Sequence, residues 1–155
     1  MEIRYLSYDA KTVAGLRSGG PDAYGMPAER VVSDGQGNPC RCCLHDVPKG
    51  VEMLICAAMP FPSVQPYAET GPVFLCAENC EPWDGQGVPP VLTSSPEYLL
   101  KAYNADHRII YGTGKITQAG ELADYAVGLL AREGVAFVDV RSARNNCFQT
   151  RIVAA

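Results

Sequence analysis

Cysteine is the residue type that most suggests chemistry in this chain of 155 residues. There are seven: Cys40, Cys42, Cys43, Cys56, Cys76, Cys80 and Cys147. Three crowd into Asn38-Pro39-Cys40-Arg41-Cys42-Cys43-Leu44-His45-Asp46. Cys40 and Cys43 are spaced C-x2-C, and Cys76 and Cys80 are spaced C-x3-C. Two such pairs can form a tetrahedral thiolate site for zinc, with His45 as a substitute ligand. The stretch between the pairs is longer than in ordinary zinc modules. A second reading is thiol chemistry. Arg41 between Cys40 and Cys43 would lower a thiol pKa, and His45 would be a candidate base. The catalytic candidates are therefore Cys40, Arg41, Cys43 and His45. The pair does not open a helix after a strand, as thioredoxin-like sites do, since Leu44-His45-Asp46-Val47 runs into Pro48. A third reading is packing, because free cysteine is a small and commonly buried hydrophobe. It suits Cys56 inside Leu54-Ile55-Cys56-Ala57, and Cys147 at the start of a strand. The three readings remain open at this level.

Other motifs carry less. There are only two histidines, which excludes a histidine-rich catalytic metal site, and His107 reads as a solvated turn residue. Gly112-Thr113-Gly114-Lys115 lacks the spacing and the Ser/Thr of a phosphate loop and reads as a strand irregularity. Arg141, Arg144 and Arg151 flank a predicted hairpin and read as a solvated face. Tyr67 in Pro66-Tyr67-Ala68-Glu69-Thr70 either lines a pocket or covers a sheet end.

The elements that must position these residues are short. Ile3 to Tyr8 is extended. Asp9 caps a helix from Ala10 to Arg17, stopped by Gly19-Gly20-Pro21. A loop to Pro39 contains a short strand at Glu29–Val32. Val51–Met59 suits a central strand, followed by a strand at Val73–Ala77. Ser95-Pro96-Glu97 reads as a short helix start. Leu100–Tyr103 and Arg108–Ile116 suggest a hairpin turning at Asn104-Ala105-Asp106. Thr117 would cap a helix from Gln118 to Glu133, with Leu122, Tyr125, Ala126, Leu129 and Leu130 inward and Gly134 as the stop. Val135–Arg141 and Cys147–Val153 form a second hairpin. Paired strands indicate α+β rather than a doubly wound sheet. The expected architecture is a single domain over residues 1–155, with a mixed, mostly antiparallel sheet and two to three helices.

The formal charge is −4 and no Lys/Arg cluster exists, so nucleic acid and an anionic membrane surface are not expected partners. No stretch approaches the roughly 18 apolar residues of a membrane helix, and Met1-Glu2-Ile3-Arg4-Tyr5 does not read as a signal peptide. A cytoplasmic address with reduced thiols is the expectation.

A set of motifs resembles a known family. Pro39-Cys40-Arg41-Cys42-Cys43-Leu44, Pro48-Lys49-Gly50-Val51-Glu52, Pro66-Tyr67 with Gly71-Pro72-Val73-Phe74, and Ala143-Arg144-Asn145-Asn146-Cys147-Phe148 with Arg151 are similar to the bacterial domain of unknown function 1203. The resemblance runs from about Gly35 to the end. It implies a family without an activity, and points to Cys40, Arg41, Cys43 and Cys147. The chain departs from the pattern by one extra residue at Lys49-Gly50-Val51-Glu52. Cys76 stands where histidine is common, an exchange that suits two metal ligands and equally a packed strand position. Asn146 replaces a glycine, which asparagine can do in a left-handed turn. The functional expectation is a domain that binds a small molecule or protein. The alternatives are a zinc-binding domain and a thiol-dependent enzyme.

Overall fold

A computed structural model describes all residues, 1–155. It has eight strands and two α-helices, and every strand pairing is antiparallel. The fold is α+β, as the pairing of short strands in the sequence implies. The chain gathers into two compact units. One comprises Met1–Leu6 with Asp84–Ala155, the other Ser7–Trp83.

The Ser7–Trp83 unit contains helix α1 (Ala10–Arg17) and strands β2 (Glu29–Val32), β3 (Glu52–Ala58) and β4 (Gly71–Cys76) in the order β2-β3-β4. Helix α1 starts where expected. The Asp9 carboxylate accepts the Thr12 amide at 2.8 Å, which satisfies one of the donors a helix start leaves open. Val13 and Leu16 turn inward and meet Leu54, Cys56, Val73 and Leu75 of β3 and β4 in one core cluster. Strand β3 is central, which explains its nearly continuous apolar sequence. Gly20 follows the helix so closely that a Cβ would come 2.9 Å from the Gly15 carbonyl oxygen, so the stop needs a glycine there.

The other unit holds strands β1 (Ile3–Leu6), β5 (Glu97–Tyr103), β6 (Lys115–Gln118), β7 (Phe137–Ser142) and β8 (Phe148–Ala154), with helix α2 (Leu122–Leu130). The sheet order is β1-β8-β7-β5-β6. Leu122, Ala126, Leu129 and Leu130 of α2 turn inward as the periodicity predicts, whereas Tyr125 is half-buried with its hydroxyl donating to the Thr113 carbonyl at 2.7 Å, and Gly134 follows with φ +84°. The final hairpin turns through Ser142–Asn146, where Asn146 takes φ +57°.

Three local expectations are corrected. Ser95-Pro96-Glu97 does not begin a helix. Glu97 opens β5, which pairs along its length with β7 and, at its start, with β6. Thr117 does not cap α2, because it lies within β6, and a single 3-10 turn over Ala119–Glu121 precedes the helix. Arg108–Ile116 is mostly a loop. The turn after Tyr103 does form, with the Asn104 carbonyl accepting from His107 and its side chain accepting from Asp106 and Arg108. No helix of the chain is long and apolar enough to cross a membrane.

Candidate metal centre

The cysteine-rich loop is a narrow turn closed by its own backbone. The Val47 amide donates to the Asn38 carbonyl at 2.8 Å, Cys40 to His45 at 2.9 Å, and Leu44 back to Cys40 at 3.0 Å. Leu44 adopts φ +54°, the left-handed geometry that reverses the chain after Cys43. The base is braced by Ser33, whose hydroxyl donates to the Val47 carbonyl at 2.8 Å and accepts from Asn38 Nδ2 at 2.9 Å. The ascending leg then runs along the outer edge of β4. Cys40 makes a parallel bridge with Phe74, and the Arg41 amide donates to the Phe74 carbonyl at 3.0 Å.

That docking sets the chemistry. Cys76 stands two residues beyond Phe74, so the loop delivers Cys40 to the end of β4. The four sulfurs of Cys40, Cys43, Cys76 and Cys80 all lie within 4.8 Å of one another, and Cys40 Sγ is 3.9 Å from Cys80 Sγ. Thiolates around tetrahedral zinc, each about 2.3 Å from the metal, stand about 3.8 Å apart. The cluster is thus geometrically able to hold a metal ion. Cys40 is fully buried and the other three are half-buried.

The cluster's electrostatics require a cation if it is to ionise fully. Cys40 is held well below the ordinary thiol range by hydrogen bonds from the Cys43 and Cys76 thiols. The amides of Cys76 and Cys42 also point at Cys40 Sγ, at 3.2 and 3.4 Å. Its neighbours move the other way. The bond to Cys40 pushes the Cys43 thiol up to about 12 and raises Cys76 strongly. Like charges this close suppress each other's ionisation, so a lowered Cys40 goes with a raised Cys43 and Cys76. A divalent cation at their centre removes that penalty.

A cation of the protein also touches the cluster. From the end of α1, Arg17 Nη2 donates to Cys80 Sγ at 3.1 Å and Nε to the Cys76 carbonyl at 3.1 Å. Sequence reasoning put this charge on Arg41. The Arg41 guanidinium is buried, 2.6 Å from the Pro39 carbonyl oxygen and 5.7 Å from the Phe74 ring centre. Inward-facing Val13 and Leu16 hinted that Arg17 borders the inner face. Nothing in the sequence showed which loop it would meet.

The remaining candidates are placed as follows. His45 lies outside the four-sulfur group: its Nδ1 is 2.9 Å from the Cys43 carbonyl oxygen and its ring is 5.8 Å from Trp83. Its backbone carbonyl closes the loop. Cys42 is buried, and burial pushes its thiol up to about 12. Cys56 is in the core on β3, its thiol raised by burial to about 11. Cys147 belongs to the other unit, in the final hairpin, with Sγ 3.7 Å from the Asn145 carbonyl oxygen. Gly112–Lys115 leads into β6 rather than a helix, and its buried Thr113 hydroxyl donates to the Ile110 carbonyl and accepts the Ala102 amide.

Neither a curated protein nor a solved structure matches the chain. A family model described as a protein of unknown function, DUF1203, matches residues 37–153, a span that includes all four clustered cysteines. The chain belongs to the DUF1203 family.

Proposed function

We propose that this chain is a zinc-binding domain, with Cys40, Cys43, Cys76 and Cys80 as the four ligands. The convergence of four sulfurs to within 4.8 Å carries the reading. An all-thiolate set favours a soft or borderline ion, and four protein ligands complete the tetrahedron. No position is left open for a substrate or a reactive water, so the metal's role is to organise a binding domain. Reduced thiols suit a cytoplasmic setting, where such a centre would persist without disulfide formation.

The test is elemental analysis of protein purified under reducing conditions without added metal. About one zinc per chain is expected. The Cys40→Ser/Cys43→Ser double variant should fall to background. Metal-free wild-type protein that also takes up no zinc on titration sinks the proposal. If Cys40 is then alkylated unusually fast, thiol chemistry becomes the better reading.

A further inference from the structure

The two arms of the cluster are held by different means. The Cys40–Cys43 arm is fixed by its own backbone bonds and by the edge of β4. In the Cys76–Cys80 arm only Cys76, the last residue of β4, is held in this way. After Ala77, whose amide donates to Glu52, no backbone amide from Glu78 to Pro82 bonds to another backbone group. The next is Trp83, which donates to Cys42. Cys80 is therefore the ligand whose position is least determined by its own segment.

Arg17 supplies what that segment lacks. Its guanidinium donates from two nitrogens, one to the carbonyl of the arm's first residue and one to the sulfur of its last. This planar fork fixes the distance between Cys76 and Cys80. The Arg17 stem is anchored in turn, since α1 is docked through Val13 and Leu16 and the Arg17 carbonyl accepts from Arg30 Nη2 at 3.3 Å. The charge matters equally. Zinc with four thiolates carries two net negative charges, and a guanidinium against one sulfur offsets half of that locally.

Resting on the zinc reading above, we propose that Arg17 is a positioning residue of the centre. It clamps the Cys76–Cys80 arm and makes Cys80 a retained rather than a labile ligand. Without it, Cys80 is the first sulfur to leave the metal.

The experiment compares wild type, Arg17→Met and Arg17→Lys, each loaded with zinc. Zinc affinity is measured by competition with a chromophoric chelator. A maleimide pulse followed by peptide mapping reports the order in which the cysteines are alkylated. Arg17→Met should bind zinc at least about tenfold more weakly, the lower end for loss of an outer partner of a ligand. Cys80 should be alkylated ahead of Cys40, Cys43 and Cys76. Arg17→Lys keeps a charge but not the fork, so it should recover part of the affinity and shift the order in the same direction by less. If Arg17→Met proves too unstable to load, the lysine variant alone carries the comparison. A purely structural role for Arg17 would lower stability without singling out Cys80. Wild-type affinity and an unchanged alkylation order in zinc-loaded variants overturn the role of Arg17 alone. A wild-type protein that takes no zinc overturns the site reading with it.

Discussion

Leu44 combines two properties that ordinarily conflict. Its backbone is left-handed, at φ +54°, and its side chain is fully buried. The left-handed geometry costs a non-glycine residue roughly 1–2 kcal/mol. Burial of the leucine outweighs this, since truncating a buried leucine to alanine costs about 2–5 kcal/mol. Leu44→Ala should therefore destabilise by that amount, because it loses the packing and keeps the strain. Leu44→Gly removes one more carbon yet releases the strain, so it should be no worse than alanine and up to about 1 kcal/mol milder. At an ordinary buried position glycine is the more damaging of the two. Urea unfolding of both variants decides the sign, and a clearly less stable glycine variant would refute the strain argument. At this scale the sequence was informative about residue types and spacing. The C-x2-C and C-x3-C pairs, and the four cysteines that converge, could be written down before any geometry. That His45 would be spent on the loop, and that Arg17 rather than Arg41 would touch a sulfur, depended on which strand edge the loop docks against. No local pattern encodes that choice.

Strands β7 and β8 show where alternation misleads. Val140 and Ile152 are buried, so simple alternation turns Arg141 and Arg151 to solvent. Arg141 is instead 5 % exposed, with Nη1 donating to the Asn146 carbonyl at 2.7 Å. Arg151 lies opposite Asp139 in the register and grips it with two bonds, of 2.7 and 3.0 Å. Its guanidinium carbon also lies 3.8 Å from the Phe137 ring centre. Both faces of β7 are covered, as Phe137 to Arg141 are all buried, so period 2 carries no inside–outside information there. The register with β8 also shifts between Val140, opposite Thr150, and Arg141, opposite Phe148, which leaves Gln149 as an extra residue on β8. Similarly, Ser95-Pro96-Glu97 has good local cap chemistry, but non-local pairing with β6 and β7 overrides it. The buried pair yields a prediction. Arg151→Met takes the Arg151 charge away from the fully buried Asp139, which costs about 3 kcal/mol, the lower end for a broken buried pair because the Arg151 side chain keeps 17 % exposure. Asp139→Leu/Arg151→Met removes both charges and should lose less than Arg151→Met alone. Denaturant midpoints compare the two. A double variant weaker than the single would show that Asp139 remains satisfied by other groups once Arg151 is gone.

The two compact units have different means of support. The unit built from Met1–Leu6 and Asp84–Ala155 has a five-stranded sheet with α2 against it. The Ser7–Trp83 unit has three strands, one eight-residue helix and long connections. Units of this size bury a modest fraction of their surface and commonly need a staple. Its cysteine cluster ties together the loop before β3, the end of β4 and, through Arg17, the end of α1. On the proposed zinc reading, metal bound to the native state would stabilise it by mass action, and in small metal sites that binding energy is folding energy. Removing the metal should therefore act on one unit first. Hydrogen exchange followed by mass spectrometry, with and without a strong zinc chelator under reducing conditions, resolves this. Peptides covering α1, the Cys40 loop and strands β3 and β4 should lose protection on chelation. Peptides covering β7 and β8 should keep theirs, because β8 is paired on both sides and β7 lies between β8 and β5. Concerted loss of protection over both units would instead show that residues 1–155 unfold as one cooperative domain. Unchanged exchange in Ser7–Trp83 after verified metal removal would show that the sheet and helix hold that unit without the centre.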